Sequence, residues 1–175
     1  MYKVATAVGL AVTLVSAANS AWAGDISCAW DNLPTAVREE FGRLARSSQP
    51  EKSLNLIDDP SMVGAIKACK FPTEPGARLV MAMGGLLNQR LAELHFAGLF
   101  TPEQLNAAWG RVDRAVVATA VATRARGFDP EAGSAAAEGF VRQLNLPATG
   151  NKRTRTLALV YANGRITRAY GEAGF

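Results

Sequence analysis

Apolar positions recur at helical spacing along most of this chain, and the runs open with one form of punctuation. From about Leu33 to Arg46, Val37, Phe41 and Leu44 share a side while Arg38, Glu39 and Arg43 lie elsewhere, which predicts an amphipathic surface helix. Ser47 to Ile57 reads as a loop. A second helix, about Pro60 to Lys70, aligns Val63 and Ile66 with Cys69. The third, about Pro75 to Ala97, has the longest stripe: Val80, Met83, Leu87, Leu91 and Leu94, stopped by Gly98. Gly84-Gly85 in its middle costs about 1 kcal/mol per glycine, which implies a close neighbour or a kink. The fourth, about Pro102 to Arg126, starts amphipathic at Leu105, Trp109 and Val112. From Ala115 to Thr123 it has no charge on any side, which predicts burial at the centre or at a subunit contact. The fifth, about Pro130 to Leu144, packs Phe140, Val141 and Leu144, and Pro147 and Gly150 close the region.

The punctuation is a capping residue followed by proline. Asp59-Pro60, Thr101-Pro102 and Asp129-Pro130 each place an acceptor at the N-cap and a proline where its missing N–H costs nothing. Thr101 to Gln104 is also a capping box. Asn32-Leu33-Pro34 and Thr73-Glu74-Pro75 are looser versions. Phe100 to Gln104 resembles, over those residues alone, the Leu-Thr-x-x-Gln motif of small helical periplasmic chaperones and metal-stress sensors. Phe100 replaces the leucine, and the motif occurs once rather than twice. The capping box accounts for the same residues, and no family is assigned.

Both ends depart from this pattern. Met1-Tyr2-Lys3, an apolar stretch from Val4 to Val15 and the small-x-small triplet Ala21-Trp22-Ala23 read as a secretory signal cut between Ala23 and Gly24. The stretch is shorter than the roughly 20 residues a membrane span needs. At the other end, β-prone Thr156–Tyr161 and Arg165–Tyr170 flank Ala162-Asn163-Gly164, the Asn-Gly signature of a β-hairpin. Its predicted core face holds Leu157, Leu159, Tyr161, Ile166 and Tyr170, with Arg168 among them in need of a partner. The expected organisation is a signal peptide at 1–23, a helical domain at 24–150 and a basic C-terminal segment at 151–175. The fold class is all-α: a bundle of about five helices with one disulfide and a short C-terminal β-hairpin.

Composition sharpens this. Hydrophobic residues make up 49% and charged residues 19%, enough to bury a core in a mature chain of about 150 residues. The net charge of +4 is concentrated: Lys152, Arg153, Arg155, Arg165 and Arg168 face one acid, Glu172, from Asn151 onward. Such an end suits a partner protein or an anionic envelope surface; nucleic acid is not indicated. Two cysteines in an exported chain, Cys28 and Cys69, predict a disulfide tying the N-terminal strap to the end of the second helix. With one histidine and two distant cysteines, no metal or cofactor site is read.

Candidate chemistry is sparse. His95, the sole histidine, would need Glu93, Asp113 or Ser134 brought to it by folding. Otherwise it is a structural histidine at a helix end. Glu39-Glu40 reads as solvated, and in Asp58-Asp59 the second acid is an N-cap. Trp30, Trp109 and Phe128 could line a groove, although Trp109 has core spacing and Trp30 is placed to cover the disulfide. No catalytic residue is assigned. The reading is a periplasmic or secreted non-enzymatic binding or accessory protein, with an exported hydrolase using His95 or a carboxylate pair as the alternative.

Overall fold

The computed structural model describes residues 25–57, 59–69, 71, 76–124, 130–146 and 152–173. The signal segment 1–23 with its Ala23/Gly24 cleavage site lies outside them. So do Asp58, the Thr73-Glu74-Pro75 cap, Phe128, Asp129, and the terminators Pro147 and Gly150.

The described chain is helical: α1 (Ser27–Asp31), α2 (Thr35–Ala45), a 3₁₀ helix (Pro50–Leu56), α3 (Asp59–Ala68), α4 (Ala77–Phe96), α5 (Pro102–Gly110), α6 (Arg114–Arg124), α7 (Pro130–Gln143) and α8 (Lys152–Glu172). Five expected helices therefore become eight plus a 3₁₀ segment. Helix α1 was unforeseen, the 3₁₀ helix replaces part of the expected loop, and the fourth helix is two. It breaks because Asp113 starts a new cap: its carboxylate accepts the Ala115 N–H at 2.7 Å, just past Gly110. Asn32 does not cap α2. Its amide instead donates to the Cys28 carbonyl (3.1 Å) and sulfur (3.2 Å), closing α1.

The largest correction concerns the C-terminus, where no strand is found among the described residues. The expected hairpin is one continuous helix, α8, running through Asn163-Gly164. Its buried residues Leu157, Ala158, Tyr161, Ala162, Gly164 and Gly171 follow helical spacing, Ile166 is buried separately with Ala120 and Ala136, and the helix forms its most extensive helix–helix contact with α4. Gly164 is there for proximity rather than for a turn. A Cβ on it would lie 2.8 Å from the Gly85 carbonyl oxygen, and one on Gly85 would lie 2.6 Å from the Gly164 carbonyl oxygen. Of the expected alternatives for Gly84-Gly85, the close neighbour holds, at Gly85. Tertiary packing here overrides β propensity.

Helix α4 sits at the centre and is buried on more than its predicted stripe. Leu79, Ala82, Met83, Gly85, Leu86, Leu87, Gln89, Leu91, Ala92 and Phe96 are all buried. Phe41, Ile66, Leu105, Phe140 and Tyr161 complete one contiguous core. The uncharged α6 is not central: only Ala120 is buried, while Ala115, Ala118, Thr119 and Ala122 are exposed. Its threonines are satisfied locally, Thr119 by the Ala115 carbonyl and Thr123 by that of Thr119, both at 2.9 Å. The expected disulfide is present: Cys28 and Cys69, with Cα atoms 5.8 Å apart, join α1 to the residue after α3. Trp30 packs edge-on against Phe41 at 5.1 Å and under Arg90. No helix among the described residues is long and apolar enough to cross a membrane.

Candidate functional site

Because α8 is a helix docked on the bundle, its basic residues are spread around the domain instead of gathered in a separate arm. Lys152 is exposed at the start. Arg153 reaches the Ser47 carbonyl at 2.7 Å. Arg155 pairs with Glu138 of α7. Arg168 finds the partner its position demanded twice over, in Glu172 (2.8 Å) and Asp25. Asp25 thereby anchors the first described residue to α8. Partial burial works against its charge, but bonds from Ser27 and the cations Arg168 and Arg90 hold its carboxyl below the usual value.

Arg165 differs. No carboxylate among the described residues pairs with it. Its Nη1 donates to the Asn106 side-chain oxygen and to the Tyr161 hydroxyl at 3.3 Å. Tyr161 in turn donates to Asn106 at 3.2 Å, and burial pushes its phenol upward, so it stays neutral and remains a donor. The guanidinium also lies 5.8 Å from the Trp109 ring centre. Helices α5 and α8 thus clamp one edge of Arg165, and its Nε–Nη2 edge makes no hydrogen bond to another described residue.

Arg165 also lines a cleft of about 290 Å³ among α5, α6 and α8, together with Trp109, Val117, Arg168, Ala169 and Glu172. A second cleft, of about 240 Å³, contains Arg111, but there Gln143 occupies the corresponding edge, accepting from Nε and Nη2 at 3.1 Å each. The first cleft is therefore the one that offers an uncommitted cation, with an aromatic and an aliphatic wall beside it.

The candidate catalytic groups are not brought together. His95 Nδ1 faces the Ala45 carbonyl at 3.4 Å, at the C-terminus of α2, where helix carbonyls lack partners. Glu93 pairs with Arg90 at 2.8 Å, Asp113 caps α6, and Ser134 is exposed on α7. Glu40 pairs with Arg43. Among the described residues, no three or more His, Cys, Asp or Glu side chains gather as a metal site would require. Sequence reading singled out Arg165 and Trp109 separately but missed Asn106, Val117 and Glu172. Only the spacing of Tyr161 and Arg165, one helical turn apart once α8 is known to be helical, could have linked the first members. No family model, curated protein or solved structure matches the chain.

Proposed function

We propose that this chain is an exported, non-enzymatic binding or accessory protein that contacts an envelope component or a partner protein. The observation that supports it best is Arg165, a cation clamped on one edge and open on the other, in a cleft with an aromatic wall. The titratable groups that would serve a hydrolase point away from that reading. His95 is engaged at a helix end, and Glu93 and Asp113 have structural partners. Export is supported by the signal-like segment ending at Ala23 and by the disulfide.

The test is capture of partners from an envelope fraction with the mature protein and its charge-reversal variants. Arg153 and Arg168 brace the fold, so the informative variants are Lys152→Glu, Arg155→Glu and Arg165→Glu. Their replacement costs no more than an exposed pair, which is typically worth about 0–1 kcal/mol, or the Arg165 hydrogen bonds. Capture should be lost with Arg165→Glu while helicity and thermal unfolding stay close to wild type. Capture that is unchanged in all three variants removes the arginine face from the reading.

A further inference from the structure

The arrangement around Arg165 also selects a ligand chemistry. A guanidinium presents two hydrogen-bonding edges suited to a carboxylate, and bidentate pairing fixes geometry as well as adding strength. In Arg165 one of them is immobilised. Asn106 and Tyr161 hold Nη1, and Tyr161 is fully buried, so the side chain is preorganised before any ligand arrives. Among the described residues no carboxylate pairs with the Nε–Nη2 edge, and Glu172 of the same cleft is engaged by Arg168.

The rest of the cleft limits what can be attached to that carboxylate. Trp109, Val117 and Ala169 supply an apolar wall. Glu172 lies seven residues further along α8, about 10 Å by helix rise. There Arg168 already pairs with both Glu172 and Asp25, so that cation is taken. A second carboxylate on the ligand would find Glu172 beside it and no unpaired cation in the lining. The volume, about 290 Å³, sits at the lower end of small-molecule sites.

We propose that the cleft binds a small monocarboxylate with an apolar or aromatic body, its carboxylate on the Nε–Nη2 edge of Arg165 and its body against Trp109 and Val117. This rests on the binding-protein reading and names its ligand class.

The experiment is a ¹H–¹⁵N NMR titration of the mature, disulfide-intact protein with hexanoate and 3-phenylpropionate, alongside hexylamine and adipate. The monocarboxylates should give saturable shifts at the Trp109 indole and at α8 amides near Arg165. Hexylamine and adipate should bind at least several-fold more weakly. Arg165→Gln should weaken the monocarboxylates roughly tenfold to a hundredfold, as expected for losing charge-assisted hydrogen bonds. Arg165→Lys, which keeps charge but not the fork, should fall between. Should the glutamine variant lose its fold, the lysine variant and the wild-type ligand comparison decide alone. Absence of saturable shifts, equal binding of hexylamine, or indifference to Arg165→Gln in a folded protein each overturns the proposal. Envelope capture separates the two readings: a failed titration with capture intact sinks the ligand class only. A positive titration with no capture sinks the macromolecular partner only.

Discussion

Gly84 and Gly85 are adjacent in sequence and opposite in environment. A Cβ on Gly84 would meet nothing within 4 Å, whereas on Gly85 it would run into the backbone of Gly164 and Arg168. Gly84→Ala should therefore be neutral or stabilise by up to about 1 kcal/mol, the helix-propensity difference. Gly85→Ala and Gly164→Ala should each cost about 1–3 kcal/mol or more, because the obstacle is backbone and cannot swing aside. Urea midpoints at constant slope would show this ordering, and its reversal would mean that α4 and α8 do not meet at these glycines. A second residue-scale expectation concerns acid. Asp25 has a lowered carboxyl pKa in the folded state, so its contribution is present above the unfolded value of about 3.9 and is lost as pH falls through the lower folded value. The stability difference between wild type and Asp25→Asn should be present at neutral pH and shrink progressively as pH falls below about 3.9. A difference independent of pH would show that the carboxylate charge is not what Arg168 holds. The sequence showed the need of Arg168 for a partner, but not which acid, because Asp25 lies 143 positions away.

Helix ends were the most readable elements. The Thr101 cap is made as its four residues imply: the Gln104 N–H donates to the threonine hydroxyl at 3.3 Å, and the Thr101 N–H donates to the Gln104 side chain at 2.8 Å. Thr101→Ala should cost about 1 kcal/mol and Thr101→Ser little, measured by thermal unfolding. Equal effects would indicate that the hydroxyl is not the acceptor. Such a cap is legible because all of its atoms lie within one turn. What could not be read is long-range. Asn163-Gly164 satisfies a local hairpin rule, and only the groove around Gly85 makes the helix preferable. Likewise, the charge-free stretch of α6 implied burial, whereas alanine and threonine leave its outer face exposed without large apolar area. The cleft was illegible for the same reason. Trp109, Val117 and Arg165 come from three helices, and their meeting depends on α8 being helical.

At the scale of the whole molecule, two long helices form the trunk and the disulfide secures its smallest pieces. Helix α1 has 5 residues and α3 has 10, lengths at which isolated helices are marginal in water. Both contact α4, and the Cys28–Cys69 bond spans 41 positions between them. Closing a loop of that size is worth about 4 kcal/mol in the chain-entropy treatment. The Cys28→Ser/Cys69→Ser variant should lose stability of that order and unfold roughly 10 °C lower, given about 2–4 °C per kcal/mol for a domain this size. The location of the loss is the sharper consequence. The α4–α8 seam contains neither cysteine, so hydrogen exchange in the variant should accelerate first in α1, α3 and the Asp25 strap, with Leu86, Leu91, Leu157 and Tyr161 the last to open. Acceleration that is uniform across the molecule would mean that the bond holds the trunk itself, and that α1 and α3 are part of one cooperative core with it.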